Sequence, residues 1–147
     1  MSLRQRLAEE MKEAMKSRAE LKLSVIRMVR SAVKNRDIEQ RQELNDQEIC
    51  EVIASLVKQR RESIRMFKEA GRDDLVSKEE QELVILMGFL PQQLSREEVA
   101  ALVDKTIAES GAESSGDMGK VMKLLKPQLS GRADGKLVSD LVRAKLG

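Results

Sequence analysis

Residues 117–136 read DMGKVMKLLKPQLSGRADGK, and this stretch decides the fold. Met118, Val121, Met122 and Leu125 recur at i, i+3, i+4 and i+7, which puts four apolar side chains on one face of a helix. Lys120, Lys123 and Lys126 fall off that face and point to solvent. Pro127 predicts the end of the helix, because its ring removes a backbone donor. Gly131 and Gly135 bracket Arg132-Ala133-Asp134 and offer the positive-φ geometry of a turn. Asp134 then caps a last helix whose apolar residues are Leu137, Val138, Leu141 and Val142. The pattern is helix, turn, helix, and no strand-like alternation interrupts it.

The same 3.6-residue period runs outward through the rest of the chain. Ser2 caps a first helix with Leu3, Leu7, Met11, Ala14 and Met15 on one stripe. Leu21, Val25, Met28, Val29, Ala32 and Val33 form the apolar face of a second. After the polar stretch 41–45, Asn45 or Asp46 caps a third helix, and Gly71 ends it. Asp73 or Asp74 opens a fourth. Pro91 forces Leu90 out of the helical region, and Ser95 with Glu98 forms a capping box for a fifth helix that stops near Gly111. The expected fold is all-α: two small three-helix units joined by a partly helical linker. The expected division is an N-terminal bundle over 1–72, a helical connector over 73–94 and a tail unit over 95–147.

Composition removes several function classes. The chain has 147 residues, one cysteine, no histidine, no tryptophan and no tyrosine. Without histidine there is no Ser-His-Asp or Cys-His pair and no His-ligated metal, so no catalytic residue, metal or cofactor is expected. Cys50 has no internal partner for a disulfide, which suits a reducing compartment. No apolar run approaches the ~20 residues of a membrane span, and the charged residues from Arg4 onward leave no secretory h-region. These features lead to an expectation of a cytoplasmic protein without membrane contact.

The motifs DMGKVM and GRADGK resemble the tail signature of the GatB/YqeY group, in particular its stand-alone YqeY-like members. The similarity extends to MSLRQRL at 1–7, LSVIRMVR at 23–30, AGRDDL at 70–75 and LPQQL at 90–94, in order along the whole chain. The resemblance implies an all-helical protein whose tail is similar to that of the B subunit of glutamine-dependent aminoacyl-tRNA amidotransferase, where the tail helps hold tRNA. It also implies an association with carbon–nitrogen ligases that use glutamine as amido donor. This chain lacks the length for that subunit's catalytic core, and the stand-alone group carries no defined activity.

Candidate sites follow from charge and spacing. Gly119-Lys120 fails as a phosphate loop, since Ser114 stands where the earlier glycine belongs and Val121 where Ser or Thr belongs. Gly119 lets either a packed helix or a ligand come close. Lys120, Lys123, Lys126, Arg132 and Lys136 form a candidate RNA-binding patch, with Arg132 and Lys136 beside a helix N-terminus that favours anions. Gly119, Gly131, Asp134 and Gly135 serve turn geometry and close approach. A secondary basic face comprises Arg27, Arg30, Lys34, Lys58, Arg61, Arg65 and Lys68, and Glu62 and Glu69 lie at ion-pair spacing from its members. It reads either as a solvated face or as a phosphate-tracking one. Glu79, Glu80 and Glu82 read as a solvated acidic face. With almost no aromatic residues, recognition would be of phosphates and shape in tRNA or another structured RNA. The alternative is a protein-interaction module docking on an amidotransferase or an aminoacyl-tRNA synthetase, without RNA.

Overall fold

The computed structural model describes residues 1–147 and contains seven α-helices, one 3-10 turn and no strand. The helices are α1 (Leu3–Lys16), α2 (Glu20–Gln40), α3 (Asp46–Glu69), α4 (Asp73–Met87), α5 (Arg96–Ser110), α6 (Met118–Leu129) and α7 (Gly135–Leu146). The chain forms two units, Met1–Leu90 and Pro91–Gly147, each with its own core. The 73–94 connector of the sequence reading is therefore divided: α4 belongs to the first unit, and residues 91–94 belong to the second.

Local chemistry sets the helix ends of the first unit. Ser2 and Gln5 make a reciprocal capping box on α1, and Asn45 and Glu48 make one on α3. Such a cap satisfies backbone donors that the helix leaves open. Asp46 has a second use, since its Oδ1 accepts from Leu3 N at 3.1 Å and so ties the start of α1 to the start of α3. Between α2 and α3, Arg41 adopts the left-handed region at φ 56° and Leu44 turns inward. Arg4 then fastens this corner: its Nη1 and Nη2 each donate to Asp37 at 3.0 Å, and Asp37 also accepts from Leu44 N at 2.8 Å.

The core of this unit is aliphatic. Leu7, Ile26, Ile49, Ile53 and Leu86 are buried from four different helices, around Val25, Val29 and Phe89. Each such side chain contributes about 1.5–3 kcal/mol on leaving water. α4 packs along α3 and also touches α2, because Leu86, and Phe89 just past the end of α4, complete this core. Arg6 of α1 adds a polar clasp to the end of α4, donating to Gly88 O at 2.8 Å while its guanidinium lies 4.9 Å from the Phe89 ring centroid.

Acidic residues that the sequence presents as a solvated face are part of this packing. Glu82 is 6% exposed. Arg60 bridges it to Glu79: Nη1 donates to Glu79 at 2.9 Å and Nη2 stands 3.0 Å from Glu82 Oε2. The Glu82 contact has ion-pair distance without hydrogen-bond geometry, so its attraction is Coulombic and not a directed bond. A periodicity argument misses this because the pairing joins two helices and leaves no local spacing.

The second unit packs α5, α6 and α7 around Val99, Val103, Val121, Leu125, Leu129, Val138 and Val142. Ser95 and Glu98 form the capping box on α5, and Gly111 ends it in the left-handed region at φ 71°. α6 does not stop at Pro127, as the sequence suggests, but runs on to Leu129. The missing donor is tolerated in a last turn, where Ser130 N still reaches Lys126 O at 3.0 Å.

Candidate nucleic-acid interface

α6 carries three lysines and no acid, and Lys120, Lys123 and Lys126 are all exposed. Its opposite side holds Val121, Leu125 and Leu129 in the core. At 100° per residue the three lysines fan across about 120° of the helix surface and do not form a straight line. Lys120 lies close enough to Asp117 to influence it: hydrogen bonds from the Glu113 and Ser114 N–H groups, then the Lys120 charge, hold the Asp117 carboxyl below its usual range.

The structure gives Arg132 a mechanical use. Its backbone carbonyl accepts from Leu94 N at 2.9 Å, and its Nε donates to Gln92 O at 3.4 Å. Gln93 Nε2 donates to Gly131 O on the same turn. The turn between α6 and α7 is thus latched to the segment leading into α5. Arg132 also adds to the field on Glu98, whose carboxyl is held low chiefly by the Ser95 backbone N–H and hydroxyl.

Lys136 is exposed on the first turn of α7, where Asp134 Oδ1 accepts from its backbone N at 3.1 Å. The anion site expected at this helix N-terminus is therefore occupied by the chain's own carboxylate. Gly131 takes the positive φ that its turn requires, at 73°, whereas Gly135 is the first helical residue of α7. Gly119 faces open space, with no atom within 4 Å of where a Cβ would sit. No helix packs against it, so the close-packing reading falls away.

The secondary basic face separates into two parts. On α3, Arg65 is paired with Glu62 and Glu69, Lys68 lies 3.5 Å from Glu80, and Arg61 Nη2 lies 3.9 Å from Met87 Sδ; Lys58 is exposed. The α3 stripe is thus largely a solvated face with ion pairs. On α2, Arg27, Arg30 and Lys34 are exposed and line a cavity. Cys50 is half-buried beside α3's acidic start, and burial, then Asp46 and Glu51, push its thiol up.

Comparison with known proteins places the chain in a family. The model of the YqeY-like proteins matches residues 4–146. The chain belongs to that family. It is similar to proteins named altered inheritance of mitochondria protein 41, mitochondrial: 35% identical over 106 residues to that of Eremothecium gossypii, covering 70% of this chain and 58% of the relative. To that of Kluyveromyces lactis it is 36% identical over 107 residues, covering 70% and 57%. To that of Pyrenophora tritici-repentis it is 30% identical over 148 residues, covering 97% and 80%. The match thus spans less than two thirds of the first two relatives' length.

These names correct the cytoplasmic expectation. The relatives are named as mitochondrial proteins, and the features behind that expectation do not distinguish the two places. A lone cysteine fits any reducing compartment. No helix is long and apolar enough to cross a membrane.

Proposed function

We propose that the tail unit binds tRNA or another structured RNA through its phosphate backbone and shape, as an accessory factor. The observation that carries this reading is α6, a helix exposing three lysines with no acid of its own. Such a face attracts phosphates without reading bases, and the chain has only two aromatic residues to stack on bases. The resemblance of the tail to the tRNA-holding tail of the amidotransferase B subunit points the same way. Lys120 and Lys123 are the principal contacts, Lys126 and Lys136 extend the surface, and Arg132 ties the turn between the two helices to the segment before α5.

The test is a competition between unmodified tRNA and an RNA duplex of equal length for the full chain. The reading predicts preference for tRNA, lost in Lys120→Glu/Lys123→Glu while helicity by circular dichroism stays unchanged. Equal binding of both RNAs, or a variant that binds as well as the parent, overturns it.

A further inference from the structure

The first unit holds a cavity of about 490 Å³ between α1 and α2, lined by Leu7, Ala8, Met11, Val33 and Ile49 among others. That volume falls within the range of small-molecule sites. The apolar floor is overlooked by Arg27, Arg30 and Lys34, which also line it and recur at i, i+3 and i+7 on one face of α2.

The charges around it are unbalanced. Arg4 and Asp37, at one end, satisfy each other through two 3.0 Å hydrogen bonds. Arg27, Arg30 and Lys34 have no carboxylate in ion-pair contact, in contrast to Arg65 or Lys22 elsewhere in the unit. Arg30 Nη1 donates to Met11 Sδ at 2.9 Å, and a thioether is a weak acceptor. An exposed guanidinium thus leans over the apolar floor with no carboxylate of the protein to neutralise it.

We propose that this cavity binds a small anion on an apolar chain: a carboxylate or phosphate monoester of an unbranched hydrocarbon. The chain lies along the partly exposed Ala8 and Met11, above the core side chains Leu7, Val33 and Ile49, and the head sits among Arg27, Arg30 and Lys34. Charge complementarity selects the anion, and the aliphatic floor selects the chain. Met11 suits such a floor, because an unbranched thioether adapts to the shape laid against it. A nucleic-acid strand fits poorly, since its phosphates would leave the floor uncovered and no aromatic ring here stacks on a base. The proposal does not depend on the RNA reading, whose residues lie in the other unit.

The probes are decanoate and decyl phosphate, each kept below its micelle threshold, with decanol and inorganic phosphate as controls. Binding to the full chain is read by calorimetry and by methyl NMR shifts of Met11, Val33 and Ile49. Both amphiphilic anions are expected to bind one per chain and to move those methyl signals. Decanol and the exposed-surface variant Arg30→Gln/Lys34→Gln each lose roughly tenfold or more in affinity, on the usual strength of charge-assisted bonds. Inorganic phosphate leaves the methyl signals in place. The proposal is overturned if decanol binds as tightly as the anions or the variant binds as well as the parent. It is equally overturned if the methyl signals respond only to anionic vesicles, or only to an acidic amphipathic peptide.

Discussion

Arg60 Nη2 on α3 lies 3.0 Å from Glu82 Oε2 on α4. The same guanidinium reaches Glu79 through Nη1 at 2.9 Å and touches Met28 Sδ on α2 at 3.0 Å. One side chain therefore joins three helices of the first unit. Its removal leaves a carboxylate only 6% exposed without its counter-charge.

Arg60→Ala is accordingly expected to lose about 3 kcal/mol of stability, at the lower end for a broken buried pair because Arg60 keeps part of its surface in water. Arg60→Met/Glu82→Leu removes the buried carboxylate together with its partner and should recover much of that loss. Urea denaturation of the two variants checks this. Equal loss in the single and double variants would show that packing volume, and not the orphaned charge, sets the cost.

Asp37 gives the pH dependence a definite sign. The Arg4 hydrogen bonds, then the Leu44 N–H, hold its carboxyl below the usual range. Its contribution is therefore fully present above the unfolded value of about 3.9 and is lost as pH falls through the lower folded value. Asp37→Asn should be less stable than the parent near neutrality, and the gap should shrink as pH drops below about 4. Denaturation curves between neutral and acid pH measure the gap, and a pH-independent difference would contradict the assignment.

Two glycines of the tail should respond in opposite ways to alanine. Gly131 sits at φ 73°, where a Cβ costs about 1–2 kcal/mol, so Gly131→Ala destabilises. Gly119 is helical with open space around it, so Gly119→Ala should stabilise by up to about 0.5–1 kcal/mol. Thermal melts of the pair decide this, and a destabilised Gly119→Ala would mean that something approaches that backbone.

Cys50 should be a slow thiol. Burial, followed by Asp46 and Glu51, pushes it upward and keeps it protonated near neutrality. Alkylation by iodoacetamide at neutral pH is expected to run several-fold slower than that of free glutathione. A faster rate would contradict the burial.

How much of this the sequence shows depends on the range of each interaction. Ser95 with Glu98 was readable because a capping box spans only three residues, and the pairing of Arg65 with Glu62 and Glu69 follows from helix spacing. Val121 and Leu125 were readable through period alone. The Arg60 bridge, the hold of Arg132 on Gln92 and the inward turn of Leu44 were not, because each depends on residues brought together only by the fold. Pro127 misled, since the local rule ends a helix that packing carries on for two more residues. In the candidate site the three α6 lysines were visible as a pattern, but not that Arg132 is spent on the turn or that Asp134 fills the α7 N-terminus. The cavity under Arg27, Arg30 and Lys34 could not be seen at all, because its floor comes from three separate helices.

RNA binding by the tail unit is tested by the salt dependence of tRNA affinity for the parent chain and for Lys120→Gln/Lys123→Gln. Each phosphate contact contributes about 0.7–0.9 to the slope of log K against log salt. RNA binding through these lysines predicts a steep slope for the parent and a slope shallower by roughly 1.4–1.8 for the variant, with weaker binding throughout. A parent that binds tRNA with no salt dependence, or a variant with an unchanged slope, would contradict it and remove the α6 lysines from the interface.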